Sequence, residues 1–504
     1  MLALDMLLIE DEELKVNEDF IIDMGLDCLK NILTDSEYKV LYDTLRSPLI
    51  EVERIRERQN ILQDFLRFPG LLNDMQKITL DAQENKFIVN DMVYARVSPK
   101  RKLKENLQVT NKSLDIPVKL LAAMEYKEFT SKTLENFYNN LKKVDLLQEI
   151  KRTINEMVGW VMNDCVTFDI EYGSGFKLKS SHIISEGNKL EQMKPEFSHL
   201  KSKFRKMRPI VEDVNEFAYN LDYILELQVE GLIERGVQSM YSVIFRVNSY
   251  ILSFCRKMYN QLLFYSAAIK IVKFSQRIGC TIVYPRFLSD TIKAKSLYDL
   301  GLLTTDNSLK GKVSNDFNED RNAFYVISGA NQGGKTTFLK SIGIAQLFAQ
   351  NGLPVFADEY DGPIFESFIS HFPKDEDAAM NNGKLAEELT RFHNSLHLMK
   401  KKALVLMNES FATTTEKEGC EIAFDVLRAL STVKPSLFFV THNYRLLKSL
   451  KEISMTLENN IGVNSLIVSY GNTATDRTFI IIPGEPQEDI YGLEFIKKRV
   501  SDIF

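Results

Sequence analysis

A chain of 504 residues has room for roughly two to four domains. It is 44% hydrophobic and 26% charged, so it is globular rather than disordered, and a net charge of −6 gives no overall basic excess to recommend a nucleic-acid partner. Its five scattered cysteines (Cys28, Cys165, Cys255, Cys280 and Cys420) show no Cys-x-x-Cys or Cys/His ligand spacing. They indicate neither a zinc site nor a disulfide framework, and they fit a reducing compartment. The first residues lack the basic region of a signal peptide. No apolar run reaches 18 residues, so no membrane span is expected.

The first thirty residues hold nine acids against two lysines and read as a solvated acidic face. From Leu26 onward helical patterns dominate. Asp35 to Leu45 is amphipathic, Ser47-Pro48 breaks it, and Pro48 suits the start of the next helix. Val52, Ile55, Ile61 and Leu62 then recur at helical spacing, with Arg54, Arg56 and Arg58 between them. Residues 98–104 read as a basic connecting loop. Helical text resumes from Val118 to Val158, and Trp160 sits among apolar neighbours as a core residue. Around Gly173 to Gly187 the texture changes to loops with short strands.

A basic cluster, Lys201 to Arg208, is the best nucleic-acid candidate in the chain, although a plain solvated helix face is the preferred reading. Val211 to Ile278 is helical with almost no glycine or proline, a length that suggests extended levers or antiparallel arms. Polar, glycine-containing text at 301–321 marks the expected domain boundary.

The next stretch is the most informative. Phe324 to Ile327 reads as a buried strand. Gly329-Ala-Asn-Gln-Gly-Gly-Lys-Thr336 fits G-x-x-x-x-G-K-[ST], with Thr337 next, and Phe338, Leu339, Ile342 and Ala345 then recur at helical spacing. Glycines let the backbone wrap a polyphosphate, and inward N–H groups and the helix dipole attract it. Lys335 would reach the β- and γ-phosphates, and the Thr336 hydroxyl would ligate Mg²⁺.

Farther on, Ala403 to Met407 is an apolar strand ending in Asn408-Glu409, expected beside the strand of the glycine loop. Glu409 is the candidate water-positioning base, against the plainer reading of a surface carboxylate. Leu437 to Val440 is a further strand, ending in Thr441-His442, where the histidine could sense a γ-phosphate. Between the glycine loop and these strands lies Asn382-Gly-Lys-Leu-Ala-Glu-Glu-Leu389, a glycine turn leading into a helix.

In this order, ISGANQGGKTTFLK, GKLAEEL, LVLMNESFATTTEKEG and FFVTHN resemble the ATPase domain of the MutS family, a branch of the ABC-type ATPases. LRSPLIEVERIRERQNIL and the text from Leu262 to YPRF are similar to the family's helical core. Asn315-Asp316 and Tyr491-Gly492 fit as well. The resemblance implies an α/β P-loop ATPase domain at 301–504, preceded by a mostly α-helical core and lever domain at 1–300, with reduced clamp arms at about 186–259. It implies ATP and Mg²⁺, with Gly329, Ala330, Asn331, Gln332, Gly333, Gly334, Lys335, Thr336 and Thr337 around the nucleotide.

Glu409, His442 and Lys335 would be catalytic, and Thr336 and Asn408 would face the metal. Gly383 and Lys384 would present a signature helix to the nucleotide of a partner subunit, and Phe411 to Thr415 would lie in a loop crossing the dimer. The implied protein is a cytoplasmic homodimer that clamps DNA. The alternative is a nucleotide-dependent switch acting on a protein, or a weakly hydrolysing structural module.

Three departures from the family pattern stand out. Asn408 replaces an aspartate. Asn-Gly-Lys replaces Ser-Thr at the signature helix. Core-like text begins almost at the first residue, which leaves no expected place for a mismatch-reading domain with a Phe-x-Glu wedge.

Overall fold

The computed structural model describes residues 4–8, 16–84, 99–142, 152, 166–172, 178–186, 214–319, 323–374, 384–470 and 477–486. In chain order the helices and strands begin with α1 (Glu18–Asp23), α2 (Asp35–Leu45), α3 (Val52–Arg67), α4 (Pro69–Glu84), α5 (Pro99–Met124) and α6 (Lys132–Lys142). Next come β1 (Val166–Tyr172), β2 (Leu178–Glu186), α7 (Val214–Ile278), β3 (Lys293–Leu297), α8 (Leu300–Thr305), β4 (Asn315–Asn318) and β5 (Ala323–Ser328). They continue with α9 (Lys335–Gln350), β6 (Glu359–Asp361), β7 (Ser367–His371), α10 (Lys384–Leu396) and β8 (Ala403–Asn408). The last are α11 (Glu416–Ser431), β9 (Ser436–Val440), α12 (Tyr444–Lys448), α13 (Leu450–Thr456), β10 (Gly462–Tyr470) and β11 (Arg477–Pro483).

Two compact units make up the chain. One comprises Met1–Leu4, Pro69–Glu128 and Leu134–Tyr259; the other comprises Asp5–Phe68, Phe129–Thr133 and Asn260–Phe504. The first unit is mostly helical. In it α4 packs on α5, Phe137 meets Phe254 at 6.1 Å between ring centroids, and β1 and β2 pair antiparallel. The uninterrupted text from Val211 onward becomes one helix of 65 residues, about 100 Å long at 1.5 Å per residue.

Four readings change here. Pro48 does not open a helix, since α3 begins only at Val52 with Glu51 as its N-cap. Residues 99–104 are no loop but the start of α5, where Pro99 stands as its first residue and no preceding turn needs its N–H. The helical stretch from Val118 is interrupted at 125–131, where Glu57 and Asp64 of α3 accept hydrogen bonds from Thr130, Ser131 and Thr133. The strand of Asn408 is not beside that of the glycine loop, because β9 lies between them. Trp160, the Lys201–Arg208 cluster, Gly383 and Tyr491-Gly492 fall outside the described residues.

The second unit is built on a six-stranded sheet of order β11-β10-β5-β9-β8-β7. All neighbours are parallel except the antiparallel edge pair β10–β11. Every residue of β5, β7 and β8 is buried, as expected of parallel strands covered on both faces; such strands read as unbroken apolar runs. A smaller antiparallel sheet, β4-β3-β6, lies in the same unit. Its Phe317 makes edge contacts with Tyr325, Phe338 and Phe438, which joins the two sheets through aromatic rings.

The chain's first segment completes this unit. Val16 bridges Phe368 of β7 in parallel, so the sheet edge is covered rather than open. Asn17 caps α1, and Phe20 packs edge-on to Phe368 at 5.5 Å. Phe20 and Met24 lie against Gly343 of α9, where a Cβ would meet Met24 Sδ at 2.3 Å, so only glycine admits this approach.

At the other end of α9, Arg58 of α3 is fully buried. Its Nη1 donates to the Asn351 carbonyl at 3.2 Å and to Asn351 Oδ1 at 3.1 Å, and its Nη2 donates to the Leu7 carbonyl. A guanidinium at a helix C-terminus meets the negative end of the dipole. Gln350 adds a bond to the Leu49 carbonyl at 3.0 Å. The helix that starts at the glycine loop is therefore held at its far end by residues from before position 60.

Candidate functional site

The glycine loop joins the carboxyl end of β5 to the amino end of α9. Three of its residues have positive φ: Gly329 at 124°, Gln332 at 59° and Gly334 at 93°. Gly333 N–H donates to the Ala330 carbonyl at 3.1 Å, closing the loop, and Phe338 N–H donates to the Gly334 carbonyl as the helix begins. Close packing selects glycine again at Gly333, where a Cβ would lie 2.9 Å from both Ala330 O and Val468 Cγ2. Lys335 is 5% exposed, and its Nζ donates to the Gly329 carbonyl at 2.8 Å and the Ala330 carbonyl at 2.9 Å. The ammonium is thus held inside the curve of the loop. Asn331 and Gln332 are exposed on its rim, and Arg477 Nη1 donates to Gln332 Oε1 at 3.2 Å.

Two strand ends face this loop. Thr336 Oγ1 donates to Asn408 Oδ1 at 2.9 Å, so the hydroxyl and the amide oxygen form one adjoining pair. Glu409 is next in the chain, with a φ of 49°, unusual for a side chain of that size and of a kind that collects at functional sites. Its N–H donates to the Val440 carbonyl at 2.8 Å, which fixes the turn. Its carboxylate meets His442 twice, with Oε1 2.9 Å from Nε2 and Oε2 accepting from the His442 N–H at 3.2 Å. Both side chains are partly exposed. The structure therefore brings together Gly329 to Thr337, Asn408, Glu409 and His442. Lys384 opens α10, but its side chain, like Gly383, lies outside what the structure describes.

Sequence reasoning missed the residues that fix the segment after Glu409. Glu388 of α10 is buried; it accepts from Phe411 N–H at 2.7 Å and from Thr413 Oγ1 at 2.6 Å. Its signal lay in the spacing of Leu385, Glu388 and Phe392, which sets a carboxylate on an apolar stripe. His371, at the end of β7, sits 2.7 Å from Ser410 Oγ through Nδ1 and stacks on Phe411 at 5.5 Å. Ser410 Oγ also donates to the His371 carbonyl at 3.1 Å, and Nε2 of the ring faces the Glu388 carbonyl at 3.4 Å and Arg391 Nη2 at 3.5 Å.

Replacing Glu388 by alanine orphans a buried N–H and should cost about 2–4 kcal/mol. Turnover should fall with it, because Glu409 stands two residues before Phe411. Urea unfolding and steady-state rates would check this, and an unchanged rate in a folded variant would contradict it.

Burial, and after it the charge of Arg391, lowers the His371 pKa to about 4. The unfolded imidazole titrates near 6.5, so the folded state binds fewer protons between those values. The stabilisation from a neutral His371 is full above about pH 6.5 and is lost as pH falls toward 4, on the order of 3 kcal/mol in all. Urea midpoints at pH 7 and 4.5 should drop more for the parent than for His371→Gln. Equal drops would contradict this assignment.

A central glycine loop, a helix beginning at its lysine and two polar strand ends converging on it define an α/β domain built to hold a charged ligand at one end of a parallel sheet. The family model described as MutS domain V matches residues 325–494, and that described as MutS2 N-terminal domain matches residues 50–277. The chain belongs to the MutS family. It is 22% identical to mouse MutS protein homolog 4 over 94% of its own length and 50% of the relative's. Against the human protein of that name it is 24% identical over 63% of this chain and 32% of the relative. Endonuclease MutS2 of Streptococcus mutans is 30% identical over 30% of this chain and 22% of the relative. The chain spans half the length, or less, of these curated relatives.

Proposed function

We propose that this chain is a MutS-type P-loop ATPase acting as a homodimer, in which ATP captured between two copies moves helical levers that clamp DNA. One observation carries the reading: Lys335 inside the glycine loop, the Thr336–Asn408 oxygen pair and the Glu409–His442 pair all stand at the carboxyl ends of neighbouring strands. Backbone N–H groups of Gly329 to Thr337 cradle the phosphates, and Lys335 turns its ammonium to them. Glu409 orients the attacking water and takes up its proton, and His442 holds that carboxylate and reads the γ-phosphate.

Gly383 and Lys384 serve the partner's nucleotide. The nucleotide domain is 301–504, the levers come from 1–300, and the clamp arms lie at about 186–259. Free Cys28, Cys255, Cys280 and Cys420 suit the cytoplasm, and among the described residues no helix is long and apolar enough to cross a membrane.

Thr336 Oγ1 and Asn408 Oδ1 fit a hard cation that keeps most of its waters. When bound, Mg²⁺ would neutralise charge on the β- and γ-phosphates. Asn408 offers an oxygen but no negative charge, so it holds the cation weakly and turnover is slow. Asn408→Asp should bind Mg²⁺ more tightly and hydrolyse several-fold faster in a Mg²⁺ titration of ATPase rate; no change would make the residue neutral. The same asparagine favours the other reading, a structural module that binds ATP and scarcely hydrolyses it.

Binding to mismatched, branched and plain duplex DNA, with and without ATP, tests the clamp. ATP should prolong the complex, and affinity should fall steeply with salt. A chain that stays monomeric with ATP and ignores all three DNAs at low salt would refute the proposal.

A further inference from the structure

The rotation of α10 is set by its inner face. Glu388, Phe392 and Ser395 are buried there. Phe392 packs edge-on to His371 and Phe411, and Asn17 Nδ2 donates to Ser395 Oγ at 3.2 Å. The outer face therefore carries His393, Asn394 and His397, all of them exposed. His393 stands in the last turn of α10, and His397 directly follows its last residue, Leu396. Spaced by four, the two side chains lie one above the other on a single face.

The two rings meet through the same nitrogen. Nε2 of His393 and Nε2 of His397 are 3.2 Å apart, with ring centroids 4.7 Å apart and planes at 82°. Both rings face solvent, where each could hydrogen-bond to water instead. A hydrogen bond across the gap needs one nitrogen with its proton and the other without. A divalent metal ion satisfies both lone pairs at once. With metal–nitrogen bonds of about 2.0–2.1 Å, the 3.2 Å separation corresponds to an angle of about 100–105° at the metal, close to tetrahedral. The unpaired carbonyls at the end of α10 bring the negative end of the helix dipole to the same place, which favours a cation there. Among the described residues no third His, Cys, Asp or Glu joins the pair.

We propose that His393 and His397 form a chelate for a divalent transition-metal ion of the Zn²⁺, Cu²⁺ or Ni²⁺ type, bound through both Nε2 atoms. Two imidazoles select that class over Mg²⁺ and Ca²⁺, which take oxygen ligands. Water completes the coordination, so the ion exchanges readily. With half the ligands of a closed structural zinc site, the affinity is on the order of 1–100 μM. The bound ion ties the last turn of α10 to the residue beyond it and opposes fraying of the helix that carries Glu388. The chelate does not depend on the ATPase reading above.

The test titrates Zn²⁺ calorimetrically into the full chain, His393→Gln and His397→Gln, each in millimolar Mg²⁺. The Mg²⁺ should not displace Zn²⁺, which separates this pair from the cation expected beside Thr336 and Asn408. Either substitution should weaken the site by roughly 10- to 100-fold. The thermal midpoint of the parent should rise with Zn²⁺ concentration and those of the variants should not. Both histidines face solvent, so the metal-free midpoints of all three proteins should agree. In the parent, Zn²⁺ should also protect His393 and His397 from diethyl pyrocarbonate, read by peptide mass mapping. Equal Zn²⁺ affinity in the parent and either variant, or modification of the two histidines undiminished by Zn²⁺, overturns the chelate. A parent that binds no Zn²⁺ overturns it as well.

Discussion

Glu409→Gln should retain ATP and lose about 10²- to 10⁴-fold in its rate of hydrolysis. Glutamine keeps the shape of the side chain and an oxygen to accept from the His442 N–H, but it cannot take a proton from water. The backbone turn should survive the change, because it is fixed by the Glu409 N–H to Val440 carbonyl bond rather than by the carboxylate. The contact to His442 Nε2 at 2.9 Å changes character, since a neutral amide replaces the charged acceptor. Single-turnover rates and equilibrium ATP binding separate the two effects. A kcat within threefold of the parent, with ATP bound normally, would remove Glu409 from the chemistry and leave it a structural residue of the turn.

Glu409 is set by the residues immediately after it as well as by its own bonds. Phe411 and Thr413 hang on Glu388, and Ser410 hangs on His371. A displacement of α10 would therefore be felt at Glu409 through Glu388. If α10 presents its amino end to a partner's nucleotide, as proposed, the same helix that meets the partner also sets the local base. Likewise α9 runs from the loop at Lys335 to the Arg58 contact at its far end, so a displacement of the loop would be felt at α3.

How much of this was legible depends on the kind of signal. Buried parallel strands write themselves as unbroken apolar runs, so β5, β8 and β9 could be found from Phe324–Ile327, Ala403–Met407 and Leu437–Val440 alone. The glycine loop was legible because close backbone approach at Gly333 tolerates no Cβ. Strand order was not legible. Nothing local in Ala403–Asn408 says that β9 comes between it and β5, since neighbours in a parallel sheet are chosen by long crossovers.

Arg58 shows a related dependence on distant residues. A charge between apolar helical positions normally faces water, and bonds to the distant Asn351 and Leu7 carbonyls help make its burial tolerable. Pro99 misled because a proline reads equally well as a loop residue or as the first residue of a helix.

Lys335 bears on every part of the nucleotide reading. Its ammonium is buried in the loop against the Gly329 and Ala330 carbonyls, which is the position from which it would reach a bound phosphate. Titration of Mg²⁺–ATP into the parent and Lys335→Ala, followed calorimetrically, should show one saturable site per chain in the parent. The variant should bind about 100-fold more weakly, as expected for losing a buried charge-assisted contact. A flat parent titration, or two superimposable isotherms, would contradict the account.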